Sequence, residues 1–126
     1  MKYYADLTVR SYECDSYGHV NNAVYLNFLE YARMEYLHQI HFDYKGAVAE
    51  GFYLYVTHID IHYKASAFLD DVLKIEVYAK DLRAVSGTLH QTVRKENGTV
   101  CAVADVTWAI VNSATGHVCR LPEKFL

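Results

Sequence analysis

Proline is almost absent from this sequence, and Pro122, near the end of the chain, is the single example. Strands and helices can therefore run long without the interruptions that proline imposes. The three cysteines, Cys14, Cys101 and Cys119, are odd in number and widely spaced, so neither a disulfide framework nor a zinc knuckle is indicated. Free thiols are typical of a reducing compartment, and we therefore expect a cytoplasmic protein.

Long apolar runs and a surplus of basic residues are also lacking. No stretch approaches the roughly 18 apolar residues of a membrane-spanning helix, so we expect no membrane span. Residues 1–6 include an acid and lack the apolar core of a signal peptide. The formal net charge of -3 argues against a general nucleic-acid-binding protein, and we expect no nucleic-acid partner.

The composition is that of a globular domain, with 52% hydrophobic and 21% charged residues. We expect a single domain over residues 1–126, which can bury roughly two-thirds of the surface of its unfolded chain. Tyrosine is abundant, with 12 residues. Tyrosine suits partly solvated surfaces such as a ligand cleft or a subunit interface, because its ring is apolar and its hydroxyl is polar. Tyrosine is also common in strands, so both explanations of its abundance stay open.

Hydrophobic periodicity predicts one strand, one long helix and then four strands. A polar loop over residues 13–22 follows the first strand, and Asn21 or Asn22 is expected to cap the helix. The helix is expected to end near residue 41, before a loop marked by Gly46 and Gly51. The predicted strands span residues 3–12, 53–64, 73–80, 88–95 and 100–110. The predicted apolar stripe of the helix comprises Leu26, Leu29, Ala32, Tyr36, Leu37 and Ile40.

This order of elements predicts an α+β fold in which a five-stranded antiparallel sheet wraps around one long helix. Asn97-Gly98 between the last two strands is a strong hairpin signal, because both residues tolerate positive φ. One helix cannot cover both faces of such a sheet. A further surface is therefore left for a partner, and the topology itself suggests a homodimer.

The polar loop contains a carboxylate, Asp15, seven residues before Asn22 at the predicted helix start. Helix N-termini present free N–H groups and a partial positive charge that stabilise anions. A carboxylate facing such a site is the pairing that acyl hydrolysis needs, with the acid as base or nucleophile and the N–H groups as oxyanion donors. The alternative is structural, because Asp in a loop often forms an Asx-turn and Asn often only caps a helix.

Residues 15–26 follow the pattern D-x-x-G-H-V-N-N-x-x-Y-L, which resembles the signature of hotdog-fold thioesterases of the 4-hydroxybenzoyl-CoA thioesterase type. The segment at residues 30–35 continues the resemblance, and the order of elements extends it over essentially the whole chain. The resemblance implies hydrolysis of an acyl-CoA or acyl carrier protein thioester. It also implies that no cofactor is needed and that the chain forms a homodimer or homotetramer.

The resemblance also implies roles for individual residues. Asp15 matches the catalytic carboxylate, and the backbone N–H at Asn22 or a neighbour matches the oxyanion donor. Gly18, His19 and Tyr25 are implied substrate-pocket residues, with Gly18 allowing a tight turn and a close approach of the loop to the thioester.

The phosphates of CoA or of a carrier protein require basic partners. Lys64, Arg83, Arg94 and Lys95 are candidates, and we favour Arg83, near a predicted turn that also contains Ser86. For each of them a solvated residue on a strand is an equally good explanation.

Two further groups of polar residues have residue types that suit catalysis or metal binding. A Glu on the long helix is catalytic in another branch of hotdog enzymes, and Glu30 and Glu35 are the candidates here, but with Asp15 present we expect them on the surface. His58, Asp60 and His62 share one face of a strand, with spacing that is weak as a metal signal. We expect no metal site there.

Two rival functions remain. Hotdog hydroxyacyl dehydratases resemble a different pattern, with a catalytic His in a proline-containing loop, and Pro122 lies far from any such loop. A non-catalytic acyl-binding module of the same fold predicts ligand binding without turnover.

Overall fold

The computed structural model describes residues 1–126. Five strands form the sheet: β1 (Lys2–Thr8), β2 (Phe52–Tyr63), β3 (Val72–Leu82), β4 (Ser86–Lys95) and β5 (Val100–Asn112). The helices are α1 (Val24–Gln39), α2 (Tyr44–Ala49) and two short 3₁₀ segments, Ser11–Glu13 and Glu123–Phe125.

All strand pairs are antiparallel, and the order across the sheet is β1-β3-β4-β5-β2. Helix α1 packs mainly against β1 and β3. The hydroxyl of Tyr31 donates to the carbonyl of Asp6 at 3.0 Å, which fixes the helix to the β1 edge. The predicted α+β hotdog arrangement is confirmed, and β2 forms the opposite edge of the sheet.

The start of α1 differs from the sequence-based expectation. Neither Asn21 nor Asn22 is the N-cap, because the helix begins at Val24 and Ala23 occupies the cap position without a side-chain bond. The Asn21 side chain forms a hydrogen bond just before the helix begins: its Oδ1 accepts from the N–H of Ala23 at 2.9 Å. The predicted strand over residues 3–12 is also too long, since β1 ends at Thr8 and a 3₁₀ turn follows.

A second short helix, α2, was predicted as loop because of Gly46. The carboxylate of Asp43 accepts from the N–H of Gly46 at 3.0 Å and caps this helix. The predicted hairpin between β4 and β5 is confirmed, but only Gly98 has a positive φ, of +89°. Asn97 instead uses its side chain to accept from the N–H of Thr99 at 2.9 Å.

The buried face of α1 is rotated relative to the predicted stripe. The helix buries Tyr25, Phe28, Leu29 and Ala32. Leu26 and Ile40 remain 39% and 38% exposed, so these two apolar side chains of the helix are uncovered. No helix in the structure has the length and apolar character needed to cross a membrane.

Candidate active site

The loop that carries Asp15 is a closed turn. Cys14 and Val20 form an isolated antiparallel bridge, and the N–H of Asp15 donates to the carbonyl of His19 at 2.9 Å. The turn is completed by the N–H of Gly18, which donates to the carbonyl of Asp15 at 3.1 Å. Gly18 has a φ of +89°, so the tight turn expected from glycine is present.

The Asp15 carboxylate has one oxygen engaged and one oxygen directed at a neighbouring ring. Oδ1 accepts from the backbone N–H of Tyr17 at 2.9 Å, which forms the Asx-turn typical of a loop aspartate. Oδ2 lies 3.9 Å from Nδ1 of His19. The side chain is 28% exposed, so the structural role of Oδ1 leaves Oδ2 accessible for chemistry.

The His19 ring is held between two aromatic rings. It stacks on Tyr17 with centroids 6.1 Å apart and meets Phe68 edge-on at 5.9 Å. A backbone bridge between His19 and Phe68 ties the loop to the segment that follows β2. These contacts fix the imidazole beside the carboxylate.

At the start of α1, the backbone N–H groups of Asn22 and Tyr25 have no acceptor in this chain. The N–H groups of Val20, Asn21 and Val24 donate to backbone carbonyls, and that of Ala23 donates to the Asn21 side chain. The N–H of Asn22 donates to no group of this chain. A free N–H just before the helix is the feature that binds an anion.

Two tyrosines support this helix start. The hydroxyl of Tyr63, at the end of β2, donates to the carbonyl of Asn22 at 2.8 Å. The Tyr25 hydroxyl accepts from the N–H of Ala67 at 3.3 Å, and burial raises the pKa of Tyr25 to about 12. The two rings meet edge-on at 5.4 Å. Tyr63 was not singled out from the sequence, because nothing local marks a strand residue that contacts a loop 41 positions earlier.

These residues border one cavity of about 380 Å³. Its lining consists of Asp15, His19, Val20, Asn22, Tyr25, Tyr63, Lys64, Ala65 and Ser66. The structure thus brings together four predicted site residues, Asp15, His19, Asn22 and Tyr25. The ammonium group of Lys64 lies within 4.0 Å of no carboxylate of this chain, so the cavity wall carries an unpaired positive charge.

Other predicted substrate-binding residues lie outside the cavity. Gly18 does not line it, and a Cβ built at Gly18 meets no atom of this chain within 4 Å, so within the chain it is the positive φ that favours glycine here. Ser86 pairs with Ala109 on β5, whereas Tyr63 at the cavity pairs with Ala102. These positions are seven residues apart, or roughly 23 Å along the strand.

None of the remaining charged candidates lines the cavity. Nε of Arg83 lies 3.1 Å from Oδ2 of Asp81, next to Ser86 at the far end of the sheet. Nζ of Lys95 lies 3.4 Å from Oδ2 of Asp71 and above the ring of Phe68, close to His19. Arg94 is half-buried and does not line the cavity.

Neither helix glutamate lines the cavity, and Glu35 instead approaches Nδ1 of His38 at 3.8 Å. The β2 triplet is exposed, and Nε2 of His62 contacts Oδ1 of Asp60 at 3.0 Å. Within the described chain no group of three or more His, Cys, Asp or Glu side chains has an arrangement that could hold a metal ion.

Comparison with known proteins agrees with this architecture. Residues 9–126 match the model of the Thioesterase-like superfamily. The chain is 36% identical over 110 residues to the long-chain acyl-CoA thioesterase FadM of Escherichia coli K12, covering 86% of this chain and 83% of FadM. It is 33% identical over 114 residues to the acyl-CoA thioester hydrolase YbgC of Escherichia coli O6:H1, covering 90% and 85%.

A solved structure, that of the probable thioesterase YbaW from Escherichia coli, superposes with a TM-score of 0.83 at 34% identity. The match covers 97% of this chain and 92% of YbaW. The sequence match and the structural match therefore extend over nearly the whole domain, including the Asp15 loop and the start of α1. The chain belongs to the Thioesterase-like superfamily.

Proposed function

We propose that the chain hydrolyses acyl-CoA thioesters to a free acid and CoA, with Asp15 as the catalytic carboxylate and the Asn22 N–H as the oxyanion donor. The observation that carries this proposal is that the Asp15 carboxylate and the free Asn22 N–H border the same cavity. Family membership and the identity to FadM and YbgC make the chain a thioesterase. The acyl-CoA substrate is carried over from the names of those two relatives.

Hydrolysis requires attack on the thioester carbonyl carbon, and Oδ2 of Asp15 has two routes to that attack. As a nucleophile it bonds to the carbon, the thiolate leaves, and water then hydrolyses the anhydride to the acid. As a general base it takes a proton from water, whose oxygen attacks the carbon, and the proton then passes to the leaving thiolate. Both routes end in acid and thiol, and neither uses a cofactor.

The negative charge that develops on the carbonyl oxygen needs a donor that is already in place. The Asn22 N–H has no competing acceptor, and the Tyr63 hydroxyl holds the next peptide group. One such donor contributes about 3–4 kcal/mol of transition-state stabilisation in well-studied hydrolases. Because the donor is a backbone group, its contribution depends on the local fold and not on the Asn22 side chain.

The cavity wall supports binding roles for His19 and Tyr25, which flank the reacting carboxylate and the helix start. Lys64 supplies an unpaired positive charge for a phosphate of the substrate. Gly18 acts through the turn that shapes the Asp15 loop. Arg83 and Ser86 lie at the far end of the sheet, so they would contact substrate only when it is bound to a second copy of the chain.

Homodimerisation through the free edge of β2 is part of the proposal, and pairing of two dimers would give the homotetramer expected from the family. The long β2 strand presents unpaired backbone groups at the sheet edge, and such edges pair readily with another strand. The three cysteines are free thiols, which supports the cytoplasm as the compartment.

Thiol release from a panel of acyl-CoAs tests this function. The panel pairs aliphatic with aromatic acyl groups and presents each group also on acyl carrier protein. Faster release from CoA than from the carrier protein is the expected result. A reversed preference would support an acyl carrier protein thioesterase, and saturable binding without thiol release would support the non-catalytic binding module.

A further inference from the structure

The segment at residues 66–71, between β2 and β3, supports the candidate catalytic loop from outside the loop itself. The Ala67 carbonyl accepts from the N–H of Val20 at 2.8 Å. This bond places His19 opposite Phe68 in an antiparallel backbone bridge. The conformation of the segment therefore influences where the His19 ring lies.

Asp71 closes the turn that contains Phe68. Its Oδ2 accepts from the N–H of Phe68 at 2.8 Å, and its own N–H donates to the Phe68 carbonyl at 3.0 Å. The turn is also joined to the chain after β1, because the Asp71 carbonyl accepts from the N–H of Val9 at 2.9 Å. Both backbone polar groups of Phe68 are thus held by one residue.

The ammonium group of Lys95, at the end of β4, contacts both parts of this turn. Nζ lies 3.4 Å from Oδ2 of Asp71 and 4.8 Å from the centroid of the Phe68 ring. The Lys95 side chain is only 20% exposed, so solvent ions screen these contacts less than those of an open surface pair. An ammonium that is held by a carboxylate and by a ring face limits the motion of both.

The Phe68 ring in turn contacts the imidazole beside the candidate catalytic carboxylate. It meets the His19 ring edge-on with centroids 5.9 Å apart, and Nδ1 of His19 lies 3.9 Å from Oδ2 of Asp15. Neither Asp71 nor Lys95 lines the cavity. Their contacts reach the carboxylate through the phenyl ring and the imidazole.

We propose that Asp71 and Lys95 are positioning residues for thioester hydrolysis. Together they fix Phe68, which fixes the His19 ring beside the catalytic carboxylate. This inference rests on the proposed function, in which that carboxylate reacts and His19 borders the bound substrate. The charge of Lys95 alone would also suit a phosphate of CoA, but its ammonium group is already paired with Asp71. The contacts therefore favour a role in geometry over a role in binding phosphate.

Lys95→Met tests this role, because it removes the ammonium group and keeps an apolar side chain over Phe68. Lys95→Arg is the conservative variant, since a guanidinium group can pair with the same carboxylate and lie over the same ring. The matched control is Lys124→Met. Nζ of Lys124 also pairs with a carboxylate, that of Glu50, and lies 5.3 Å from the centroid of the Phe125 ring. This control pair lies near the start of β2, whereas the cavity lies at the end of β2.

The rates are measured with an acyl-CoA and with the same acyl group on N-acetylcysteamine, a thiol that carries no phosphate. We expect Lys95→Met to lower kcat for acyl-CoA by about threefold or more, with a smaller change in KM, because small displacements of an active-site group slow the reaction. The value of kcat/KM for the phosphate-free thioester should fall by a similar factor. Lys95→Arg and Lys124→Met should both stay within about twofold of wild type.

A positioning residue acts through the group that it positions. In a His19→Ala background, Lys95→Met should therefore change kcat by less than about twofold. The NMR signal of the His19 Cε1 proton gives a readout that does not require activity, because the neighbouring rings of Phe68 and Tyr17 shift it. Lys95→Met should move this signal, and Lys124→Met should leave it in place.

Wild-type kcat, or an unmoved His19 signal, in a folded Lys95→Met would overturn the positioning role. A change confined to KM for acyl-CoA would also overturn it, and would assign Lys95 to phosphate binding. A full loss of rate in the His19→Ala background would show that Lys95 does not act through the imidazole, which is equally contrary to the proposal.

A second variant covers the case in which Lys95→Met does not fold. Asp71→Asn keeps an acceptor for the N–H of Phe68 and removes the charge that Lys95 contacts, and the same changes in kcat and in the His19 signal are expected. A wild-type protein that releases no thiol would contradict the proposed function itself. The His19 signal would then still test the geometry, so the two failures are distinguishable.

Discussion

The hydroxyl of Tyr63, at the end of β2, donates a 2.8 Å hydrogen bond to the backbone carbonyl of Asn22, at the start of α1. This bond joins the sheet edge to the residue whose N–H is free to bind an oxyanion. It limits rotation of the peptide group that follows Asn22. The proposed oxyanion site is therefore positioned by tertiary structure as well as by the loop itself.

Removing this hydroxyl tests the positioning role. In Tyr63→Phe the ring still packs against Tyr25, so the fold should be retained. A hydrogen bond of this kind contributes about 0.5–1.5 kcal/mol, so kcat should fall by up to about tenfold, with a smaller change in KM. The control is Tyr12→Phe, which removes the hydroxyl of an exposed tyrosine outside the cavity. An equal loss of kcat in both variants would contradict the role of Tyr63.

Because the proposed oxyanion donor is the backbone N–H of Asn22, two substitutions at this position should have different effects on kcat. Asn22→Ala keeps the N–H and removes a side chain that makes no hydrogen bond, so kcat should stay within about twofold of wild type. Asn22→Pro removes the N–H, and kcat should fall by about 10²–10³. Thermal unfolding of both variants controls for misfolding. If Asn22→Ala lost as much activity as a folded Asn22→Pro, the side chain and not the backbone would be the donor.

The turn before Asn22 depends on a left-handed backbone at Gly18 rather than on space. Gly18→Ala meets no steric neighbour, yet its positive φ should cost about 1–2 kcal/mol of unfolding free energy. Gly18→Asn should cost less, because asparagine adopts this conformation more readily. Urea unfolding of the two variants measures the difference. Equal stability of wild type and Gly18→Ala would show that the turn does not hold this φ in solution.

A pH dependence of stability is expected from Asp105 on β5. Burial raises the pKa of its carboxyl, but hydrogen bonds from Lys80 at 2.9 Å and His90 at 2.7 Å outweigh burial and hold the pKa below its usual 3.8. A pKa lowered by folding stabilises the fold above the unfolded-state pKa, and this stabilisation disappears as the pH falls through the folded-state pKa.

Asp105→Asn should therefore be less stable than wild type at pH 7, by about 1 kcal/mol for a partly exposed group. The difference in urea midpoint between wild type and Asp105→Asn should become smaller as the pH falls below about 4. The comparison uses the same buffer series for both proteins. A gap that stays constant from pH 7 down to pH 3 would show that the charge of Asp105 does not contribute to stability.

Most of the fold could be predicted from local patterns. The alternation of apolar and polar residues predicted strands β2 to β5. The order of the elements indicated a sheet around one helix. The start of α1 was misplaced because the Asn21 oxygen bonds to Ala23, one residue before the helix, and the sequence signal does not distinguish the two positions. Helix α2 was not predicted, because Gly46 indicated a loop. Nothing in the sequence favoured the alternative, in which Asp43 caps a short helix.

The candidate site was predicted in the part that lies within a single stretch of sequence, from Asp15 to Tyr25. Its remaining wall, Tyr63 to Ser66, comes from the end of β2, and only the folded sheet brings it to the loop. Arg83 was favoured for substrate binding because it is basic and near a turn. The structure places that turn at the opposite end of the strands from the cavity, so a contact between Arg83 and substrate would need a second copy of the chain, and the role of Arg83 stays a prediction.

The most direct test of the catalytic proposal is the rate of thiol release from acyl-CoA by Asp15→Asn. This change keeps an acceptor for the Tyr17 N–H but removes the charge, and kcat should fall by about 10²–10⁴. The matched control is Asp70→Asn, at an exposed aspartate outside the cavity whose positive φ asparagine tolerates; it should keep the wild-type rate. Equal rates for wild type and Asp15→Asn would contradict the role of Asp15.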